Sequence, residues 1–215
     1  DGHRFPMSKY ETTRAALSAA GVGFAAPEPA DAALLGLVHD ADYVAAMCAA
    51  AVPAPIERRI GFGVTAAVAR RARLSVGGTV AAARRALADG FAANVAGGSH
   101  HAMPDGGAGF CVLNDLAVAA CAMLHEGRVR QLLVIDLDVH QGDGTAVCLK
   151  GRPGCYTFSI HAERNFPVRK ARSDRDIGLP DGADDAAYLD ALQAVLPQLF
   201  EASRPDLVLV QAVAQ

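Results

Sequence analysis

Apolar residues recur along this chain in two rhythms, and their succession outlines a fold before any residue has a chemical role. Helical spacing predicts helices over 8–21, 40–51, 114–127, about 143–150 and about 184–202. The first opens on a capping-box pattern, Ser8 to Glu11, and closes on Gly21, while Asn114 is placed to cap the third. Residues 64–89 also have helical character, interrupted at Gly77-Gly78, so either a long kinked helix or two consecutive helices is expected there. Short Val/Leu-rich runs predict strands at 91–95, 129–139, 155–160 and 206–212. The proline-rich stretches 25–33 and 52–61 read as loops. Apolar strands alternating with helices indicate a three-layer α/β/α arrangement around a mostly parallel sheet. In open sheets of that kind, sites lie beyond the carboxyl ends of the strands.

Composition narrows the function classes. The 215 residues suit a single domain over 1–215, with 52% hydrophobic and 20% charged residues. A net charge of −3 gives no basic footprint for direct nucleic-acid binding. No apolar run reaches the roughly 18–20 residues of a membrane span, and the start shows neither an export signal nor an initiator Met, so the native N-terminus is expected to lie upstream. Five cysteines without a C-x-x-C pair argue against a disulfide framework or zinc ribbon, and they are expected to be reduced and mostly buried. A cytoplasmic location is the expectation; the sequence leaves the oligomeric state open.

One predicted strand, "VIDLDVHQGDGTA" (134–146), runs into Asp136, Asp138, His140 and Asp143. Carboxylates at the tip of a buried strand are costly unless something satisfies them. If the strand persists, period-two alternation puts Asp138 and His140 on one side, able to converge on a single ion. A carboxylate with an imidazole suits Zn²⁺, or Fe²⁺ less selectively. Gly142 and Gly144 are expected to let the next turn wrap tightly and return Asp143 to the same place.

A second predicted strand end carries "AGGSHHAMPDGGAGFCVLND" (96–115). Tandem His100-His101 near a carboxylate-rich site suggests acid/base work near neutral pH. Each imidazole needs an orienting carboxylate on its far nitrogen, and Asp136 and Asp143 are the available candidates. Gly106, Gly107 and Gly109 precede Phe110, whose ring is placed to wall a pocket.

Together, "GGSHHAMPDGGAGFCVLND", "VIDLDVHQGDGTA" and "YTFSIH" resemble the histone deacetylase superfamily, with its arginase/deacetylase fold. The H-Q-G-D-G variant and "RSDRDIGLPDGADDAAYLDAL" (172–192) look closest to the class IV branch and its bacterial relatives. The resemblance implies that Asp138 and His140 are two of three catalytic metal ligands. It makes His101 the main general base and acid, paired with Asp143, and His100 its charge-stabilising partner, paired with Asp136. It places Gly109 and Phe110 along the acyl-lysine tunnel, Phe166 as a candidate opposite wall, and Lys9 near an acetate-release channel. A monovalent cation such as K⁺ is implied near Asp136, with 159–161 contributing. The implied reaction is hydrolysis of an acetyl or acyl amide on lysine or a small amine.

The family's third ligand, an Asp, is expected just past the last strand. Aligned without gaps, Val213 stands at the family's Gly and Gln215 at that Asp, and a later oxyanion-binding Tyr segment is missing, so the family domain reads as C-terminally incomplete. Two alternatives to a zinc deacetylase follow. One is a truncated or inactive homologue acting as a binding module. The other is an arginase-type binuclear manganese hydrolase, whose D-x-H-x-D pattern "DLDVHQGDG" does not match. His3, His39 and His125 read as ordinary surface or loop histidines, His161 as structural, the arginines at 70–75 and 84–85 as solvated helix faces, and the methionines as packing.

Overall fold

The computed structural model describes residues 8–212. Its helices are α1 (Ser8–Ala19), α2 (Ala32–Leu35), α3 (Ala41–Cys48), α4 (Ala54–Ile60), α5 (Ala66–Asp89), α6 (Asp115–His125), α7 (Asp143–Leu149) and α8 (Asp185–Ser203). The strands are β1 (Leu132–Asp136), β2 (Cys155–Ala162), β3 (Arg175–Leu179) and β4 (Leu207–Gln211). They form one parallel sheet in the order β3-β2-β1-β4.

Strand β1 is central and buried on both faces, and its side chains alternate between two cores. Leu132 and Val134 pack with residues of α5 and α6, whereas Leu133 and Ile135 pack with Phe158, Ile160 and the α8 residues Val195 and Leu199. Each such fully buried side chain contributes about 1.5–3 kcal/mol. The sheet is thus sandwiched between helices, the α/β layering that the pattern predicts. Asp136, the next residue on the α6 side of β1, arrives at the carboxyl end of the sheet.

Residues 66–89 form one continuous helix, which settles the two options left by Gly77-Gly78. Those glycines are a crossing point. A Cβ at Gly77 would collide with the Glu28 carbonyl, and one at Gly78 would press on the Asn94 side chain at 2.9 Å. The segment crossing at Gly77 is tied down by Ala30 N–H donating to the Arg73 carbonyl (2.9 Å) and by Arg73 Nε donating to the Ala30 carbonyl (2.7 Å). Arg73 is therefore an anchor rather than a purely solvated charge.

Two expectations are corrected, and one strand is added. Residues 54–60 are helix α4, because Pro53 caps it and Pro55 falls in its first turn, where no intrahelical N–H bond is needed. Residues 91–95 are irregular; a cleft of about 440 Å³ separates them from the edge of β4, so they pair with no strand among the described residues. Strand β3, short and at the sheet edge, is half-buried at Asp176, Ile177 and Leu179, and its only apolar alternation is the pair Ile177 and Leu179, too brief a signal to predict a strand. Among the described residues, no helix is long and apolar enough to cross a membrane. Of the free cysteines, Cys111, Cys121 and Cys148 are buried, Cys155 is half-buried and Cys48 is exposed.

Candidate active site

The expected site residues gather at the carboxyl end of β1, though by a different route from simple pleating. The strand ends at Asp136, so alternation does not carry Asp138 and His140 to one side. Two successive Asx-type turns do: Asp138 N–H donates to Asp136 Oδ1 (3.0 Å), and His140 N–H donates to Asp138 Oδ1 (2.8 Å). Asp138 Oδ1 and His140 Nδ1 then stand 3.1 Å apart. Two donors on a tetrahedral ion with bonds of about 2.1 Å are separated by about 3.4 Å, so this carboxylate–imidazole pair fits a shared zinc. Among the described residues, no group of three His, Cys, Asp or Glu side chains is arranged to hold a metal. Val213 and Gln215, the latter at the expected third-ligand position, lie outside the described residues.

His100 and His101 precede α6 on a loop, with ring centroids 4.0 Å apart. His100 Nδ1 lies 2.6 Å from Asp136 Oδ2, and His101 Nδ1 lies 2.7 Å from Asp143 Oδ1. All four side chains are buried. Burial depresses the His100 pKa, but Asp136, aided by Asp138 and Asp143, outweighs it and leaves the group raised. At His101 burial prevails: its pKa is lowered, with the neighbouring His100 and His140 adding to burial against the bond to Asp143. The tandem histidines are thus electrostatically distinct, one favouring its charged form and the other its neutral form. A neutral His101 donating Nδ1–H to Asp143 keeps a lone pair on Nε2.

Gly142 and Gly144 serve by the space they leave, not by unusual φ. A Cβ at Gly142 would strike Asp136 Oδ2, and one at Gly144 the Ala102 carbonyl. Asp143 begins α7, so its placement as a helix start and as the partner of His101 coincide.

The remaining expected residues surround this centre. Gly109 N–H donates to the Arg59 carbonyl (3.0 Å) and Phe110 N–H to the Ile60 carbonyl (2.9 Å), so the unpredicted α4 holds the loop that carries both. Phe110 sits at φ 64, strained for a bulky residue, with its ring parallel to Phe62. The Phe166 ring lies edge-on to His101, with centroids 4.8 Å apart, and 6.0 Å from His140. His161 is buried, its Nδ1 2.9 Å from Ser159 Oγ, and burial lowers its pKa. Lys9 lies on α1 with its ammonium 5.6 Å from the Tyr10 ring. His125 is exposed, and His3 lies outside the described residues.

Four residues support the site through contacts that the sequence does not reveal. Asp115 accepts from the Gly98 and Ser99 amides and from Thr79 Oγ1 (2.5 Å), fixing the loop ahead of the histidines. Asn114 caps α6 as expected, and its Nδ2 also donates to the Ala102 carbonyl (3.1 Å) and Thr145 Oγ1 (3.2 Å). Gln141, fully buried beside His140, donates to the Ala171 carbonyl and Asp176 and accepts from the Ala171 amide, tying the 138–143 turn to the segment that follows Phe166. His39 is 97% buried, overturning its reading as a surface histidine (3% exposed). A lone His ending the apolar run "LLGLVH" was the available signal.

Residues 3–213 match the family described as histone deacetylase domain. An uncharacterized protein of Picosynechococcus sp. is 46% identical over 214 residues, covering 98% of this chain and 71% of that protein. Histone deacetylase 2 of Arabidopsis thaliana is 29% identical over 196 residues, and the acetoin utilization protein AcuC of Bacillus subtilis is 31% identical over 199. The chain spans about half, 51%, of each of those two. A crystal structure of an HDAC homolog complexed with SAHA superposes with a TM-score of 0.75 at 29% identity, covering 86% of this chain and 55% of that one. An acetylpolyamine aminohydrolase from Burkholderia pseudomallei, 21% identical, shares the fold with a TM-score of 0.78 over 95% of this chain and 72% of that one. The chain belongs to the histone deacetylase family and has the α/β arginase/deacetylase fold.

Proposed function

We propose that this chain carries the site of a zinc-dependent amide hydrolase that removes acetyl or acyl groups from lysine side chains or small acetylated amines. The observation that carries the reading is the pair of buried His–Asp couples beside the converging Asp138 and His140 donors. Asp138 and His140 would hold the metal, zinc by preference and Fe²⁺ less selectively. When bound, that ion supplies carbonyl polarisation and a more acidic water.

The protein's own part is proton handling and positioning. His101, kept neutral with Nδ1–H on Asp143, offers Nε2 to take a proton from the attacking water and to return one to the leaving amine. Asp143 holds the tautomer and ring orientation through both steps. His100, biased towards its charged form by Asp136, has its Nε2 3.9 Å from Asp138 Oδ1 and supplies positive charge at the edge of the reaction site. Gly109, Phe110 and Phe166 form an apolar approach that excludes water and orients an acyl-lysine stem. A monovalent cation such as K⁺ bound near Asp136 and residues 159–161, and a cytoplasmic setting without direct nucleic-acid or membrane contact, complete the reading.

A second reading is favoured by Gln215 at the expected third-ligand position: a homologue that binds without turnover. Zinc content after dialysis and release of fluorophore from an acetyl-lysine peptide separate the two. Zinc retention with turnover that disappears in His101→Ala supports the hydrolase. Zinc-loaded chain that binds the peptide yet gives no turnover supports the second reading.

A further inference from the structure

We infer that His39 is a positioning residue of this site: its imidazole staples together the two stems of the 103–114 loop, Nδ1 donating to the Met103 carbonyl and Nε2 accepting from the Asn114 amide. The inference rests on the hydrolase reading for its catalytic meaning and on hydrogen-bond chemistry for its substance.

The bonds themselves fix the tautomer. Both partners of His39 are backbone groups: the Met103 carbonyl, 3.0 Å from Nδ1, only accepts, and the Asn114 N–H, 3.1 Å from Nε2, only donates. A ring with Nδ1–H and a bare Nε2 satisfies both, whereas the other tautomer satisfies neither and an imidazolium sets an N–H against an N–H. Full burial makes either mismatch costly. Burial also lowers the pKa of His39, which keeps the satisfying form in place near neutral pH.

The stapled loop is the one that matters to the chemistry. It leaves at Met103, carries Gly109 and Phe110, and returns at Asn114. Asn114 in turn grips the Ala102 carbonyl, and Thr145 N–H donates to the His100 carbonyl at 2.9 Å, so the staple also bears on the backbone of the histidine pair. The same turn of chain adds two further holds: Asp40 N–H on the Pro104 carbonyl (2.9 Å) and Tyr43 Oη on the Val112 carbonyl (2.6 Å). Residues 39–43 thus grip both stems, and His39 is the member that bridges them.

The test uses the full chain with ¹⁵N-labelled histidine. Two-bond proton–nitrogen correlation is expected to show one imidazole fixed with Nδ1–H and bare Nε2, an assignment checked by its loss in His39→Phe. That variant keeps a ring in the core and removes both bonds; it is expected to accelerate amide exchange at Asn114 about tenfold or more. In zinc-loaded chain it raises KM for an acetyl-lysine peptide more than it lowers kcat, and His39→Gln, which retains an acceptor, recovers part of the Asn114 protection. An Nε2–H tautomer at His39, or unchanged Asn114 exchange in His39→Phe, overturns the inference. If His39→Phe does not fold, the tautomer in the unsubstituted chain decides. Absence of turnover in every form refutes the hydrolase reading, and the staple is then judged on tautomer and exchange alone.

Discussion

Asp138 Oδ1 and His140 Nδ1 stand 3.1 Å apart at the end of the central strand, held there by backbone turns that do not depend on a metal. The two donors are therefore preorganised. His140→Ala is expected to weaken zinc retention by more than the roughly 10–100-fold that losing an outer partner of a metal ligand costs. Gln215→Asp is expected to strengthen retention by adding a charged donor. Zinc measured by competition with a chelator checks both, and equal retention in His140→Ala and the unsubstituted chain would remove Asp138/His140 as the site.

Asp143 Oδ1 stands 2.7 Å from His101 Nδ1 and fixes that ring. Asp143→Asn is expected to lower kcat on an acetyl-lysine peptide on the order of 10²-fold with zinc content unchanged. Parallel zinc analysis and initial rates test this, and a matching loss of zinc would contradict the assigned role.

His39 gives the fold a dependence on pH whose sign follows from its lowered pKa. The unfolded chain takes up a proton near about pH 6.5, while the folded chain resists until lower pH. Between those values the unfolded state binds more protons, so stability falls as pH drops below about 6.5 and is unaffected by this group above it. Urea midpoints at about pH 7.5 and about pH 5.5 should differ more for the unsubstituted chain than for His39→Gln. An equal difference would show that His39 carries none of the dependence.

Gln211 lies across from Asp136 in the sheet register, and neither polar atom of its buried side chain has a hydrogen-bond partner among the described residues. A buried amide left this way costs about 1–3 kcal/mol. Gln211→Met, close in volume, is expected to raise unfolding stability by about 1 kcal/mol in urea titration with the slope unchanged. A loss of stability would reveal a partner for the amide.

Legibility in the sequence divided along physical lines. Four chemistry-bearing residues within 136–143 and a tandem histidine form a dense local pattern, so their clustering at one strand end is legible directly. Alternation is not the reason they meet: the strand stops at Asp136, and turns bring Asp138 and His140 together. Helix α4 was legible in principle, since Pro53 and Pro55 suit a helix start as well as a loop. His39, Asp115 and Gln141 are single polar residues whose value comes from distant backbone, and single residues have no pattern.

What the sequence determined by itself was the alternation of helices and strands, the parallel sheet and the list of acids and histidines, because periodicity and local density are properties of the chain. Only the tertiary structure decided which supports hold them. It showed residues 91–95 irregular opposite the open β4 edge, α4 gripping Phe110, Asp115 gripping Gly98 and Ser99, and His39 closing the loop. Those contacts join residues far apart in the chain, and such pairings exist only after the sheet and its helices have packed.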